Sequence, residues 1–276
     1  MVKVNGEIFS PDTFHNGETI YKIPNVNADT NEVELAFETD ADITKVLFAT
    51  HYIRDKQPKS ELNLKMLYIP YSRMDREIPE GCQLFSMKYF AKIINACNFD
   101  SIVALDPHSN VSEDLLDRLL EVDLVQYVER VVERFKPDYI FYPDKGANEK
   151  YTKILSSINV PHFYGTKKRD LANRGKIIED RYELHNAPEL MNKNILIVDD
   201  LVSLGGTAFV AGKTLKQYGA CRVALYVSHC ENGVFYGKLL KGDPDSGFKA
   251  VDKVYTAATT PLEMTHENLE VIHINE

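Results

Sequence analysis

A run of about 20 apolar residues, the length needed to cross a bilayer, is missing from this 276-residue chain although 44% of its residues are hydrophobic. Its first residues, MVKVNGEIFS, have no signal-peptide apolar core. Both absences lead to the expectation of a cytoplasmic protein with no membrane partner. An excess of basic residues is missing too: 32 Lys and Arg stand against 41 Asp and Glu, a net charge of -9, which weighs against nucleic acid as a partner. An anionic small substrate stays admissible, because a few local cations with Mg²⁺ can govern one pocket. The four cysteines, Cys82, Cys97, Cys221 and Cys230, show no C-x-x-C spacing, so buried thiols are expected rather than a disulfide framework or a structural zinc. A P-loop is absent as well. In Gly206 to Thr214 (GTAFVAGKT) five residues separate the glycines where that pattern allows four, leaving Lys213 as an exposed helix residue.

The stretch that stands out is Asn194 to Thr207 (NILIVDDLVSLGGT). Ile195 to Val198 form a short buried strand, Asp199 and Asp200 end it, and Gly205-Gly206-Thr207 opens a helix running to Tyr218. Glycines permit close backbone approach, and the free N–H groups of a helix start attract phosphate. The two carboxylates cannot bind phosphate directly; they can accept hydrogen bonds from a sugar diol or hold Mg²⁺. Acid pair and anion-binding turn together point to a sugar phosphate.

Elsewhere the chain reads as repeated strand, acid and helix. Residues 1–44 read as short strands and turns, with Phe14-His15-Asn16-Gly17-Glu18 on a hairpin turn. Lys45 to Ala49 and Lys65 to Ile69 are expected strands, with at most a short helix between them. Pro70 to Arg76 follows, its two arginines around Asp75 serving either as a phosphate clamp or as a surface ion-pair cluster. Gln83 to Asn98 has a helical apolar stripe. Ser101 to Leu105 is a strand ending at Asp106-Pro107-His108, and Ser112 to Phe135 holds one or two helices. Tyr139 to Tyr142 is a strand ending at Asp144 and followed by a helix. A strand at His162 to Tyr164 leads into a basic run, Gly165 to Lys176, readable as a solvated loop or as a mobile flap over phosphates. Strands at 222–228, 253–256 and 270–274 and a short helix at 232–241 complete the chain. Acids thus collect along one sheet edge, where such sheets bind ligands.

Taken together, these segments resemble the ribose-phosphate diphosphokinase (PRPP synthetase) family. Pro70 to Arg76 is similar to its Pro-Tyr-Ala-Arg-Gln-Asp-Arg motif, Asp106-Pro107-His108 to its Asp-Leu-His, and Pro143-Asp144 to its Ser-Pro-Asp. Lys167-Lys168-Arg169 resembles the Lys-Arg-Arg of its catalytic loop, Phe14 to Glu18 its Phe-Ser-Asn-Gly-Glu turn, and Asn194 to Thr207 its PRPP-binding loop. The resemblance implies an α/β fold of two similar phosphoribosyltransferase-like (Rossmann-like) halves, 1–136 and 137–276, with mostly parallel sheets flanked by helices and the active site between them.

The implied activity is transfer of the diphosphoryl group of Mg-ATP to the 1-hydroxyl of ribose 5-phosphate, giving PRPP and AMP. By matched position, Lys167, Arg169 and His108 are catalytic. Arg73, Met74, Asp75 and Arg76 would bind ATP, with Phe14, Asn16 and Glu18 reaching the adenine of an adjacent chain in a homo-oligomer. Asp199, Asp200, Ser203, Leu204, Gly205, Gly206 and Thr207 would bind ribose 5-phosphate, and His108 and Asp144 would hold Mg²⁺. The chain departs from the family's pattern in several places, among them Lys168 in the Lys-Arg-Arg match, the missing strand and helix before Phe14 and the absent last helix after Ile274. Met74 replaces a glutamine, Ser203-Leu204 replaces Asp-Thr, and the helix between the strands expected at 45 and 65 is shortened. A PRPP-using phosphoribosyltransferase and a catalytically weak regulatory subunit are the alternative expectations.

Overall fold

The computed structural model describes residues 1–9, 12–78, 83–170 and 176–274, with backbone alone described at 168–170 and 176–181. Two compact units emerge: Met1–Val122 with Thr259–Pro261, and Asp123–Ala258 with Leu262–Glu276.

The first unit is built on a six-stranded sheet. Its strands are β1 (Val2–Val4), β2 (Glu7–Ile8), β5 (Thr30–Leu35), β6 (Glu61–Lys65), β7 (Ser101–Leu105) and β8 (Leu119–Val122), in the order β2-β1-β5-β6-β7-β8. The run β5 to β8 is parallel, and β1 and β2 extend it antiparallel. A two-stranded hairpin, β3 (Asp12–Thr13) with β4 (Thr19–Ile20), carries the Phe14 to Glu18 turn. Helices α1 (Ala41–Lys56), α2 (Ser86–Ala96) and α3 (Asn110–Leu115) accompany this sheet. Val33, Leu62, Leu64 and Ile102 from its strands join Val46, Ile53, Phe90 and Ile94 from its helices in one core.

Two sequence expectations change here. Lys45 to Ala49 is part of the 16-residue helix α1, neither a strand nor a prelude to a shortened helix. Its buried positions Asp42, Val46, Ala49, Thr50 and Ile53 follow helical spacing. A strand would put Val46 and Phe48 on one face, yet Val46 is fully buried and Phe48 is 51% exposed. The next strand sits earlier than expected, at Glu61–Lys65, with Leu62 and Leu64 inward by strict alternation.

The second unit holds a seven-stranded sheet. Its strands are β9 (Tyr139–Tyr142), β10 (His162–Asp170), β11 (Lys176–His185), β12 (Asn194–Val202), β13 (Arg222–Cys230), β14 (Lys253–Ala257) and β15 (Leu269–Ile272), in the order β11-β10-β9-β12-β13-β14-β15. Only the β10–β11 pair is antiparallel. Helices α4 (Val125–Phe135), α5 (Lys145–Ile154), α6 (Gly206–Gln217) and α7 (Lys238–Lys241) join it. The central strands β12 and β13 are near-continuous apolar runs because both faces are covered.

The 112–135 segment breaks into α3, the unexpected strand β8, and α4. The units divide at Val122/Asp123, ahead of the 136/137 boundary expected from sequence. The reason is α4, which contacts β13 and places Phe135 under the Arg222 guanidinium, 4.9 Å from the ring centre. Residues 232–241 form a 3-10 turn (Asn232–Phe235) and α7, interrupted by extended backbone at Gly237. Cys97 and Cys230 are buried, Cys221 is exposed against expectation, and none of the three is in a disulfide. Cys82 lies outside the described residues. Among the described residues no helix is long and apolar enough to cross a membrane.

Candidate active site

In the second unit the parallel sheet delivers acids from neighbouring strands. Phe141 of β9 pairs with Ile197 of β12, so Asp199 lies two residues past that pair, level with the end of β9. Asp144 follows β9 and caps α5, its Oδ1 accepting from the Ala147 N–H at 2.7 Å. Contrary to expectation, Asp199 and Asp200 do not end β12. The strand runs on to Val202 because β13 keeps pairing, Leu201 with His229 and Val202 with Cys230. Burial, then the charges of Asp200 and Asp144, push the Asp199 carboxyl well above its ordinary value.

That shift carries a pH signature. On raising pH the unfolded chain ionises first, near its ordinary value of 3.8, so the charge on Asp199 costs the folded state stability above that pH. Asp199→Asn is therefore expected to raise the thermal midpoint by roughly 2–4 °C near neutral pH and to match wild type in strong acid. Thermal unfolding of both proteins across this pH range checks it. A variant less stable than wild type at neutral pH would contradict the assignment.

After Val202 the chain turns. Gly205 is left-handed (φ 80°) and pressed on α7, where an added Cβ would lie 2.7 Å from Leu239 Cβ. A Cβ on Gly206 would meet nothing within 4 Å. Open space therefore faces the N-terminus of α6, whose first N–H groups suit an anion. Leu204, Gly206 and Thr207 are exposed around it and Ser203 is half-buried.

Over its described residues the basic run is neither a solvated loop nor a separate flap: it forms arms of the β10–β11 hairpin, extending β10 through Asp170. From that strand Lys167 Nζ donates to Thr207 Oγ1 at 2.5 Å. Two residues picked out separately in the sequence thus meet at the start of α6. The side chain of Arg169 lies outside the described residues, although its backbone pairs with Ile177.

In the first unit Asp75 joins two of the motifs. Its Oδ2 accepts from Ser109 Oγ at 3.0 Å and its Oδ1 from Arg76 Nε at 3.1 Å, tying the Pro70 to Arg76 loop to the turn after β7. Arg73, Arg76 and His108 are exposed, Met74 is half-buried, and Asp106 is buried with a left-handed φ of 48°. Tyr71 anchors the loop from the other side by donating to Asp40, and burial followed by that carboxylate pushes its phenol up to about 12. On the hairpin, Asn16 Nδ2 donates to Glu18 Oε2 at 2.9 Å, and Phe14 stands 58% exposed.

Among the described residues no group of three or more His, Cys, Asp or Glu is arranged to hold a metal. Mg²⁺ seldom needs such a cage, since one or two carboxylates with substrate phosphates and water suffice. A cation beside these acids would relieve the crowding that raises Asp199. Sequence reasoning missed Tyr182, which β11 places opposite Lys167 with its side chain buried. Alternation of buried Tyr182 with exposed Glu183 was the available signal.

A mostly parallel sheet carrying acids toward the carboxyl ends of its strands, with a glycine turn opening a helix, defines a phosphoribosyltransferase-type α/β unit. The chain belongs to the phosphoribosyl transferase domain family, which matches residues 118–262. It is 29% identical over 237 residues to the ribose-phosphate pyrophosphokinase of Saccharolobus solfataricus, covering 83% of this chain and 77% of that one. It is 24% identical over 274 residues to the Sulfurisphaera tokodaii enzyme of the same name, covering 96% and 88%. In fold it is similar to the phosphoribosylpyrophosphate synthetase of Mycobacterium smegmatis, with a TM-score of 0.73 and 18% identity over 95% of this chain and 84% of that one.

Proposed function

We propose that the protein is a Mg²⁺-dependent ribose-phosphate diphosphokinase. The observation that carries the reading is the meeting of Lys167 with Thr207 at an open helix N-terminus, one turn beyond the Asp199-Asp200 pair. A sugar phosphate needs both things these supply: donors and a cation for its phosphate, and acceptors for its diol. The similarity to ribose-phosphate pyrophosphokinases extends over both units, whereas a transferase that only consumes PRPP would leave the first unit unexplained.

In the proposed reaction the anomeric hydroxyl oxygen of ribose 5-phosphate bonds to the β-phosphorus of ATP. The bond from that phosphorus to the αβ-bridging oxygen breaks, AMP leaves with the oxygen, and the hydroxyl proton is lost to solvent. Asp199 and Asp200 hold the ribose hydroxyls. The backbone from Ser203 to Gly206 and the Thr207 hydroxyl hold the 5-phosphate, with Leu204 lining the turn. Lys167 and Arg169 offset charge on the transferring group. In the first unit Arg73 and Arg76 bind ATP, Asp75 orients Arg76, and Met74 lies beside the base. Phe14, Asn16 and Glu18 present an aromatic and polar face to the adenine held by a second copy of the chain, which makes the working form a homo-oligomer. His108 and Asp144 would hold Mg²⁺, which when bound neutralises phosphate oxygens.

Incubation with ATP, ribose 5-phosphate and Mg²⁺ tests the proposal. AMP and PRPP in equal amounts are expected. Absence of AMP at saturating substrate would sink it, and base-dependent release of diphosphate from supplied PRPP would favour a phosphoribosyltransferase instead.

A further inference from the structure

Directly opposite Lys167 on the β10–β11 hairpin stands a tyrosine that the proposed reaction does not use. Tyr182 is 2% exposed. Its ring meets Phe141 of β9 edge-on, 5.8 Å between centres, and covers Gly165 of β10 so closely that an added Cβ there would lie 2.9 Å from Tyr182 Cδ1. Its backbone N–H donates to Thr214 Oγ1 of α6 at 3.1 Å. The ring packs closely on β9 and β10 and its backbone is tied to α6, so the hydroxyl stays where it is and a new partner has to come to it.

That hydroxyl is buried and makes no hydrogen bond among the described residues. The ring's neighbour Phe141 pairs with Ile197, two residues before Asp199 and on the same face of the sheet, so the charged groups on this side are Asp199 first and then Asp144. Buried phenols normally find a partner, and an unsatisfied one destabilises the fold. Phenylalanine would fill the same space without that penalty. Packing therefore gives no reason for the oxygen.

We infer that Tyr182 is a positioning residue, whose hydroxyl donates to the Asp199–Asp144 carboxylates when a sugar phosphate fills the turn and so fixes Asp199 for the ribose diol. The inference rests on the reading that the second unit binds ribose 5-phosphate; the phenol itself does not touch substrate. Burial and the two carboxylates push its ionisation upward, so it is a neutral O–H donor across the working range. Filling the turn removes water from the carboxylates, and a hydrogen bond made in such surroundings is stronger than one made in water. One hairpin then brings two devices to the site: Lys167 to the phosphate turn and Tyr182 to the acids.

The test is Tyr182→Phe in the full chain, which removes the oxygen and keeps the ring. Its thermal midpoint without ligand is expected to rise by roughly 2–4 °C. The KM for ribose 5-phosphate is expected to rise on the order of tenfold with the KM for ATP unchanged, and the thermal shift given by ribose 5-phosphate alone to shrink. A purely structural tyrosine would give the opposite stability change and leave the KM alone. An unchanged KM and ligand-induced shift, or a variant less stable than wild type, overturns the inference. The two readings fail separately. If wild type shifts with ribose 5-phosphate but makes no AMP, the diphosphokinase reading falls and the thermal-shift comparison still decides the role of Tyr182. If wild type does not bind ribose 5-phosphate, the inference falls with it.

Discussion

Lys167→Ala is expected to lower the rate of PRPP formation on the order of 10³-fold while leaving the fold intact. The side chain is a half-exposed lysine that donates a hydrogen bond to the Thr207 hydroxyl. Losing one such contact costs the protein no more than about 1 kcal/mol. The reaction loses much more. Diphosphoryl transfer involves little covalent work by the protein, so catalysis rests on positioning and on charge offset where the phosphoryl oxygens gain it. In the proposed reaction the flexible Lys167 stem turns from Thr207, at the 5-phosphate, toward the transferring group. The loss should therefore fall mainly on kcat, with a modest rise in the KM for ribose 5-phosphate from the contact to Thr207. Steady-state AMP formation, read beside the thermal midpoint, checks both parts. A variant within about threefold of wild-type kcat would remove Lys167 from the transition state.

Gly237→Ala carries the largest expected stability loss. At φ -82° and ψ 179° the backbone there is one alanine adopts freely, so conformational strain is not the issue. The obstacle is the Leu204 carbonyl oxygen, 2.0 Å from where the new methyl would sit, with the carbonyl carbon at 3.0 Å. Backbone atoms cannot rotate aside as a flexible side chain can. Either α7 moves off or the 203–206 turn is displaced. A loss of about 3 kcal/mol is expected, lowering the thermal midpoint by roughly 6–12 °C, with weaker ribose 5-phosphate binding from the displaced turn. Gly206→Ala is the internal control. Its methyl meets nothing within 4 Å, so stability should hold while the added methyl stands where phosphate is proposed to bind. Thermal unfolding and KM measurements on the pair distinguish a turn shaped by packing from one shaped by its own glycines. Equal stability losses in both would contradict the steric account.

How much of this could be read from sequence depended on how local each signal was. The β12 strand, the glycine turn and α6 lie within two dozen residues and combine a buried apolar run, acids and a helix start, so they were legible together. Lys45 to Ala49 was not. Five mostly apolar residues fit strand or helix equally, and only the longer series Asp42, Val46, Ala49 and Ile53 reveals helical spacing. The strand β8 was hidden because its four residues alternate weakly, with Leu120 and Glu121 both exposed. The continuation of β12 past its two aspartates depends on β13 continuing to pair, which the 194–207 stretch does not record. Tyr182 illustrates the same limit for the site. Its neighbours Phe141, Gly165 and Thr214 are spread over more than seventy residues, and no spacing rule links them.

The departure at Ser203-Leu204 takes on a different meaning beside the packing of the turn. Its path is held from beneath by backbone and by neighbours: Leu239 under Gly205, the Leu204 carbonyl against Gly237, and Gly233 close to Ser203. The Leu204 side chain takes no part in that support and stands 61% exposed. Shape and chemistry are therefore separable at this loop. In the proposed site, position 204 is an interchangeable face on a rigid mount, where a hydroxyl, an amide or an aliphatic group can be exchanged to retune what a bound sugar would meet while the turn beneath stays put.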